Sequence, residues 1–325
     1  MNASVNAAEP VEPVEPVGPV EPYGDRPLSW SRTVAREWVH RASVAEVLLT
    51  DVRRARGDGF EAAASWPRSH PTFPRDGGEL HSPLMVVETL RQLGICLPLR
   101  YFGVDPSASL VITDLHFAID PAAEPRLLSG ATRVTCRIVV DEVRHDTEGA
   151  VAGLRLAVDY LAAGVCFARA GGGARFFAPE RYAAVRKGRA HSTAPRYPAG
   201  LDRPEPAGVG VGAAHDVVLG LAPGGVPGAD GATLLVEPAD MRHPYFFDHA
   251  TDHLPGMIVL EAARQAAALV TRGRLLRPTA GRLKTARFVE YAPPARVLCV
   301  PHHATCVFRI LQDGHQKAFG VLRYQ

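Results

Sequence analysis

The sequence of 325 residues predicts an α+β protein in which one unit occurs twice, each copy an antiparallel sheet wrapped around a single helix. Three observations carry this. Two helical segments share one motif, each is followed by strands rich in β-branched and aromatic residues, and a Pro/Gly-rich stretch parts the two sets.

Residues 1–28 contain a Val-Glu-Pro repeat, and proline at that density predicts an extended, disordered tail. Val44 to Val52 and Gly59 to Trp66 read as extended. From Pro83 to Leu99, apolar residues recur at mostly helical spacing through Leu84, Val87, Leu90 and Leu97. Ser109 to Ile119, Thr132 to Val143 and Val151 to Ala168 read as strands. These complete a first domain over 29–170. A linker is expected over 171–212, beginning at Gly171-Gly172-Gly173, followed by a second domain over 213–325. There Val217 to Leu221 and Thr233 to Val236 read as extended, and Pro255 to Thr271 as a helix. Leu283 to Tyr291, Ala295 to His303, Thr305 to Gln312 and Lys317 to Tyr324 read as strands.

Composition narrows the function. A 46% hydrophobic, 22% charged chain with mean hydropathy near zero is globular. A net charge of +2 gives nucleic acid no obvious hold. The absence of a long apolar run or a signal-like N-terminus points to a cytoplasmic protein without a membrane span. Cys96, Cys136, Cys166, Cys299 and Cys306 are odd in number and scattered, so they are expected to be reduced core residues.

The repeated motif is the most informative feature. The first helix carries Glu88-Thr89-Leu90-Arg91-Gln92 and the second Glu261-Ala262-Ala263-Arg264-Gln265. Each glutamate follows a proline by five or six residues, about one and a half turns into the helix. The i, i+3 spacing puts Glu and Arg on one face, where a surface ion pair contributes only ~0.2–0.5 kcal/mol. The second helix, however, is apolar nearly all round, and a buried Glu–Arg pair needs a reason to be there. Glu261 and Arg264, then Glu88 and Arg91, are therefore candidate functional residues. His243, His249 and His253 with Asp248 and Asp252 look like a metal cluster by composition. Their spacing matches known zinc sites only loosely, in a loop that contains Pro244 and Pro255, so no metal is expected.

The segment from His243 to Gln265 resembles the hotdog-fold 3-hydroxyacyl-carrier-protein dehydratases through Phe246, His249, Pro255-Gly256, Glu261-Ala262 and Gln265. It departs from them in a shorter loop and in Arg264, which stands where they carry a small apolar residue. Those departures, the duplication, and Val39-His40-Arg41, Leu49-Thr50-Asp51 and Phe288-Val289-Glu290 resemble the AfsA family of butyrolactone-signal biosynthesis enzymes, from about residue 34 to the end.

That resemblance implies a tandem double hotdog. It implies transfer of a 3-oxoacyl group from acyl carrier protein to the hydroxyl of dihydroxyacetone phosphate, with no cofactor. On this reading Glu261 is the base, and His249 contacts the thioester or the glutamate. The N–H groups of Gly256 and Met257 meet the oxyanion. Arg264, helped by Arg91, Lys284 or Arg287, holds the phosphate, and Glu88 and Gln265 complete the site. The second helix's site is expected to dominate, and Arg186-Lys187-Gly188-Arg189 is a candidate dock for an acidic carrier protein. A dehydratase-like thioester enzyme and a non-catalytic acyl- or carrier-binding module are the alternatives.

Overall fold

The computed structural model describes residues 26–55, 59–68, 70, 79–126, 129–186, 201–222 and 233–325. The expected tail up to residue 25 and the basic run beyond Arg186 lie outside the described residues. The first unit consists of β1 (Leu49–Arg54), β2 (Phe60–Pro67), α1 (Leu84–Tyr101), β3 (Ser109–Ile119), β4 (Ala131–His145), β5 (Val151–Ala162) and β6 (Val165–Phe177). A short helix, α2 (Pro179–Arg186), follows. The second unit consists of β7 (Leu219–Leu221), β8 (Leu234–Val236), α3 (Gly256–Val270), β9 (Ala280–Thr285), β10 (Ala295–His302), β11 (Thr305–Gln312) and β12 (His315–Arg323).

All twelve strands form one antiparallel sheet in the order β1-β2-β4-β5-β6-β3-β9-β12-β11-β10-β8-β7. Read inward from either edge, the two halves have the same order, so the duplication is built as a pseudo-two-fold. The halves join where β3 pairs with β9, from Asp114 opposite Lys284 to Ala118 opposite Ala280. Gly281 at this seam faces Phe117, whose ring would lie 2.6 Å from an added Cβ. The sheet curls around α1 and α3, which explains why both helices bury residues on nearly every side, Glu88 and Glu261 included.

Several sequence expectations are corrected here. The span from Val151 to Ala168 is two strands, because Ala163 and Gly164 both take positive φ (48° and 83°) and close a two-residue hairpin turn. Gly171 to Gly173 do not open a linker: they lie inside β6, between β5 and β3, where the neighbouring strands leave no room for a side chain. A Cβ on Gly172 would sit 2.3 Å from the Asp114 carbonyl oxygen. Val44–Glu46 is a short 3-10 turn preceding β1. The strand expected from Leu283 to Tyr291 is Ala280–Thr285, after which the chain leaves the sheet. Cys299 and Cys306 lie side by side on the paired strands β10 and β11, while Cys96 and Cys136 are buried thiols. Among the described residues no helix is long and apolar enough to cross a membrane.

Replacing Gly172 with alanine should destabilise the protein by ~1–3 kcal/mol, since backbone rather than a movable side chain blocks the new methyl. Urea denaturation checks this, and an unchanged midpoint would contradict it.

Candidate active site

The two Glu-x-x-Arg-Gln motifs build nearly the same framework twice. Gln92 donates from Nε2 to Glu88 Oε1 (2.8 Å) and the Glu46 carbonyl (2.7 Å), and its Oε1 accepts from the Leu48 N–H (2.9 Å). Gln265 donates to Glu261 Oε1 (2.8 Å) and the Asp216 carbonyl (2.8 Å), and accepts from the Val218 N–H (3.0 Å). Each amide thus ties its helix to the segment leading into the edge strand. Gln265, expected to bind substrate, is committed inside the fold. The imidazoles repeat as well: His70 Nε2 lies 2.9 Å from Glu46, and His243 Nε2 lies 3.1 Å from Asp216.

The duplication breaks around the carboxylates. Glu261 is bound by the Arg264 guanidinium, at 2.6 and 2.8 Å. Glu88 receives Arg41 (2.7 Å), Arg91 (3.3 Å) and, on its other oxygen, the Tyr245 hydroxyl (3.3 Å). The difference starts in two matching 3-10 turns, Arg36–Val39 and Pro206–Val209, each ended by a left-handed residue, His40 and Gly210. The next residue is Arg41 in the first copy and Val211 in the second. A side chain at Gly210 would run into Leu276 and Arg264, so the second copy is closed where the first is open.

A cavity of about 540 Å³ lies on the open side. His40, Arg41, Arg91, His249, Thr251 and His253 line its polar part, with Gly256 and Met257 at the start of α3. Leu90, Gly94, Ile95, Ile112, Leu154 and Leu156 line its apolar part. The polar wall is assembled across the units. The loop before α3 docks on the first unit through Asp248, which accepts from the N–H groups of Ala42 (2.6 Å) and Ser43 (2.9 Å). Arg41 adds a bond to the Tyr245 carbonyl (2.8 Å) and a stacking contact 4.9 Å above the Tyr245 ring.

His249 therefore faces α1 of the other unit, in the cavity with Arg91 and His40, rather than Glu261. The sequence expectation puts the site at Glu261 on the second helix; His249 instead lines a cavity together with residues of α1. Glu261, Arg264, Gln265 and Lys284 do not line the cavity, and Lys284 is exposed on β9. Arg287, Gly256, Met257 and Arg91 do line it. Glu88 lies just beneath, covered by Arg41 and Arg91. His40, Arg41 and Tyr245 escaped the sequence assignment of roles. The available signal was that Val39-His40-Arg41 becomes Val209-Gly210-Val211 in the repeat.

Electrostatics assigns the protons. Burial pushes the Glu88 carboxyl up, but the Arg41 and Arg91 guanidinia and the Gln92 amide outweigh it and hold the group below the usual range. Glu88 is therefore ionised and has no proton to give. His40 is lowered to about 4 by burial and by the neighbouring Arg91 and His249, and is neutral at pH 7. His253 Nδ1 lies 2.6 Å from Asp252, a carboxylate also bound by the Tyr182 hydroxyl (2.7 Å) and Arg186 (2.8 Å) from α2. That pairing directs the His253 Nδ1 proton at Asp252.

The histidines and acids of the loop do not gather around one point. A different group, His215, Asp216 and His243, does come together. Yet His243 Nδ1 accepts from the N–H groups of Tyr245 (3.2 Å) and Phe246 (3.3 Å), which leaves its proton on Nε2, aimed at Asp216. That ring fastens the loop and has no lone pair for a metal.

Fold and site together define a tandem hotdog protein with a cavity shared between the first helix and the second unit's loop. The chain belongs to the AfsA family: the family model for the A-factor biosynthesis hotdog domain matches residues 25–178 and 209–278. The chain is 33% identical over 270 residues to a 2-oxo-3-(phosphooxy)propyl 3-oxoalkanoate synthase of Streptomyces virginiae, covering 83% of this chain and 87% of that one. It is 30% identical over 300 residues to the synthase of the same name from Streptomyces griseus, covering 87% and 91%. An acyl-ACP thioesterase from Bacteroides thetaiotaomicron aligns with 82% of this chain and 98% of its own, at 10% identity and a TM-score of 0.47.

Two predictions follow from this geometry. Glu88→Ala removes the counter-ion that Arg41 and Arg91 share, leaving Arg41 the more distant Asp248 (4.0 Å), and should cost ~3–5 kcal/mol in chemical denaturation; a loss under about 1 kcal/mol would contradict the buried network. His40, and His81, which is buried and likewise lowered to about 4, are neutral in the fold but take up protons near 6.5 when unfolded. Between those values the unfolded state binds more protons, so these two rings remove stability as pH falls from 6.5 towards 4. Ring NMR should show both titrating near the lower value; a midpoint near 6.5 would refute the assignment.

Proposed function

We propose that this protein is an acyltransferase that joins the 3-oxoacyl group of an acyl-carrier-protein thioester to the hydroxyl of dihydroxyacetone phosphate, in γ-butyrolactone-type signal biosynthesis. The product is the phosphorylated 3-oxoalkanoate ester that names the Streptomyces relatives. One observation carries the assignment of the site: the same cavity is lined by a group of apolar side chains and by a histidine, a guanidinium and the N-terminus of a helix.

Each feature meets a demand of the reaction. The apolar group takes the acyl chain. His249, neighbour to Asp248, accepts the hydroxyl proton as the substrate oxygen attacks the thioester carbon. The N–H groups of Gly256 and Met257, which have no intrahelical partner at the start of α3, stabilise the oxyanion. As the C–O bond forms and the C–S bond breaks, the imidazolium returns the proton to the departing thiolate. Arg91 spends Nη1 on Glu88 and the Val39 carbonyl, and its remaining N–H groups hold the phosphate, with Arg287 at the rim. Glu88 is a positioning residue that fixes both arginines.

Dehydration is the weaker reading, because the cavity presents no protonated carboxyl to act as its acid. Both units are required, the first through β6 and the second from the turn at Pro206–Val209. The reaction belongs in the cytoplasm, with its carrier-protein donor.

Mass spectrometry of the protein mixed with a 3-oxoacyl thioester and dihydroxyacetone phosphate should reveal the phosphorylated ester. His249→Ala should lower kcat by ~10²–10⁴. Arg91→Lys should raise KM for the phosphate substrate, since a point charge does not replace the fork. Turnover that survives His249→Ala but vanishes in Glu261→Gln would move the chemistry to the second helix and overturn this assignment. Ligand binding without product would favour the non-catalytic module.

A further inference from the structure

Gly94 stands in the middle of α1, three residues beyond Arg91, in a helix otherwise built of large residues. Glycine there is unfavourable, because it adds chain freedom to the unfolded state and packs nothing. The two usual reasons for tolerating it do not apply. Its φ is not positive, and an added Cβ would meet nothing within 4 Å, so no neighbouring backbone or side chain demands the missing atom. The duplication supplies a control. The matching position of α3, three residues beyond Arg264, is Ala267, fully buried and outside the cavity, whereas Gly94 is half-buried and lines it.

We infer that Gly94 is the acyl-chain gauge of this enzyme, a position left without a side chain so that the apolar tail of the donor can pass over α1. The inference rests on the acyl-transfer reading above and adds the specificity determinant to it. Around Gly94 the wall is hydrocarbon: Leu90 and Ile95 on the same helix, Ile112 and Leu115 on β3, and Leu154 and Leu156 on β5. Asp114 and Arg175 also line the cavity, but these six side chains carry no charge and no hydrogen-bonding group, so contact with them selects by length and width. A side chain at 94 takes volume from the cavity about one helical turn beyond Arg91 and leaves the Arg91 and His249 side chains themselves unchanged.

The test compares wild type with Gly94→Ala and Gly94→Leu, using 3-oxohexanoyl, 3-oxooctanoyl and 3-oxodecanoyl coenzyme A with dihydroxyacetone phosphate. The ratio of kcat/KM for the longest donor to that for the shortest should fall by roughly tenfold or more in Gly94→Leu, with a smaller fall in Gly94→Ala. Gly94→Ala should also raise Tm, as an unhindered helical alanine does. An unchanged ratio, or a lower Tm in Gly94→Ala, would overturn the inference. Calorimetric binding of the same thioesters without acceptor separates it from the functional reading. A length-selective loss of affinity in Gly94→Leu keeps the gauge even if no ester forms, and a loss equal at all lengths removes it.

Discussion

The buried carboxylate of Glu88 is the constraint around which the rest is arranged. An ionised group with no access to water must be satisfied on both oxygens or forfeit several kcal/mol. Its partners come from three places: Arg91 and Gln92 on its own helix, Arg41 from the turn before β1, and Tyr245 from the other unit. Meeting that requirement fixes the loop of the second unit onto the first. The loop in turn brings His249 and the start of α3 to the wall of the cavity. The same charges leave Arg91 with donors to spare.

The pseudo-symmetry explains why one side is open and the other closed. A duplicated hotdog has two equivalent grooves, and here they have diverged by a few residues. Val211 stands where the first copy has Arg41, Gly210 lets Leu276 and Arg264 close over the turn, and Glu261 pairs with Arg264 on its own helix. The second motif retains the framework, including the Gln265 bonds to Asp216 and Val218, and so retains its structural value. Conversely, the first helix has the glycine and the arginine that line the cavity, while the loop that carries His249 is the second unit's. In the proposed site the two copies divide the work between them.

Much of this was legible in the sequence. The repeat gave the tandem architecture because Glu-x-x-Arg-Gln recurs in the same place in each helix, and strands such as Ser109–Ile119 and Thr305–Gln312 followed from β-branched patterning. The triple glycine misled, since glycine marks close strand approach in β6 as readily as it marks a linker. Residues were found more reliably than their partners. Adjacency in sequence suggested that His249 serves the helix that follows it, whereas the hotdog pairing carries that loop to the opposite helix. Burial was inferred correctly for Glu261 and Arg264, but buried charge signals a network, and a network can be structural. The phrase Val39-His40-Arg41 carries a family resemblance but no role for either side chain. A role is suggested when the two copies are compared and one has lost them.

A crystal structure of the protein with dihydroxyacetone phosphate and a non-hydrolysable 3-oxoacyl thioester analogue tests the central claim most directly, because it locates both substrates. The account predicts the phosphate on Arg91, the thioester carbonyl at the Gly256 and Met257 N–H groups beside His249, and the acyl chain running over Gly94. Ligands seated against Glu261 and Arg264, with the cavity beside α1 unoccupied, would contradict it.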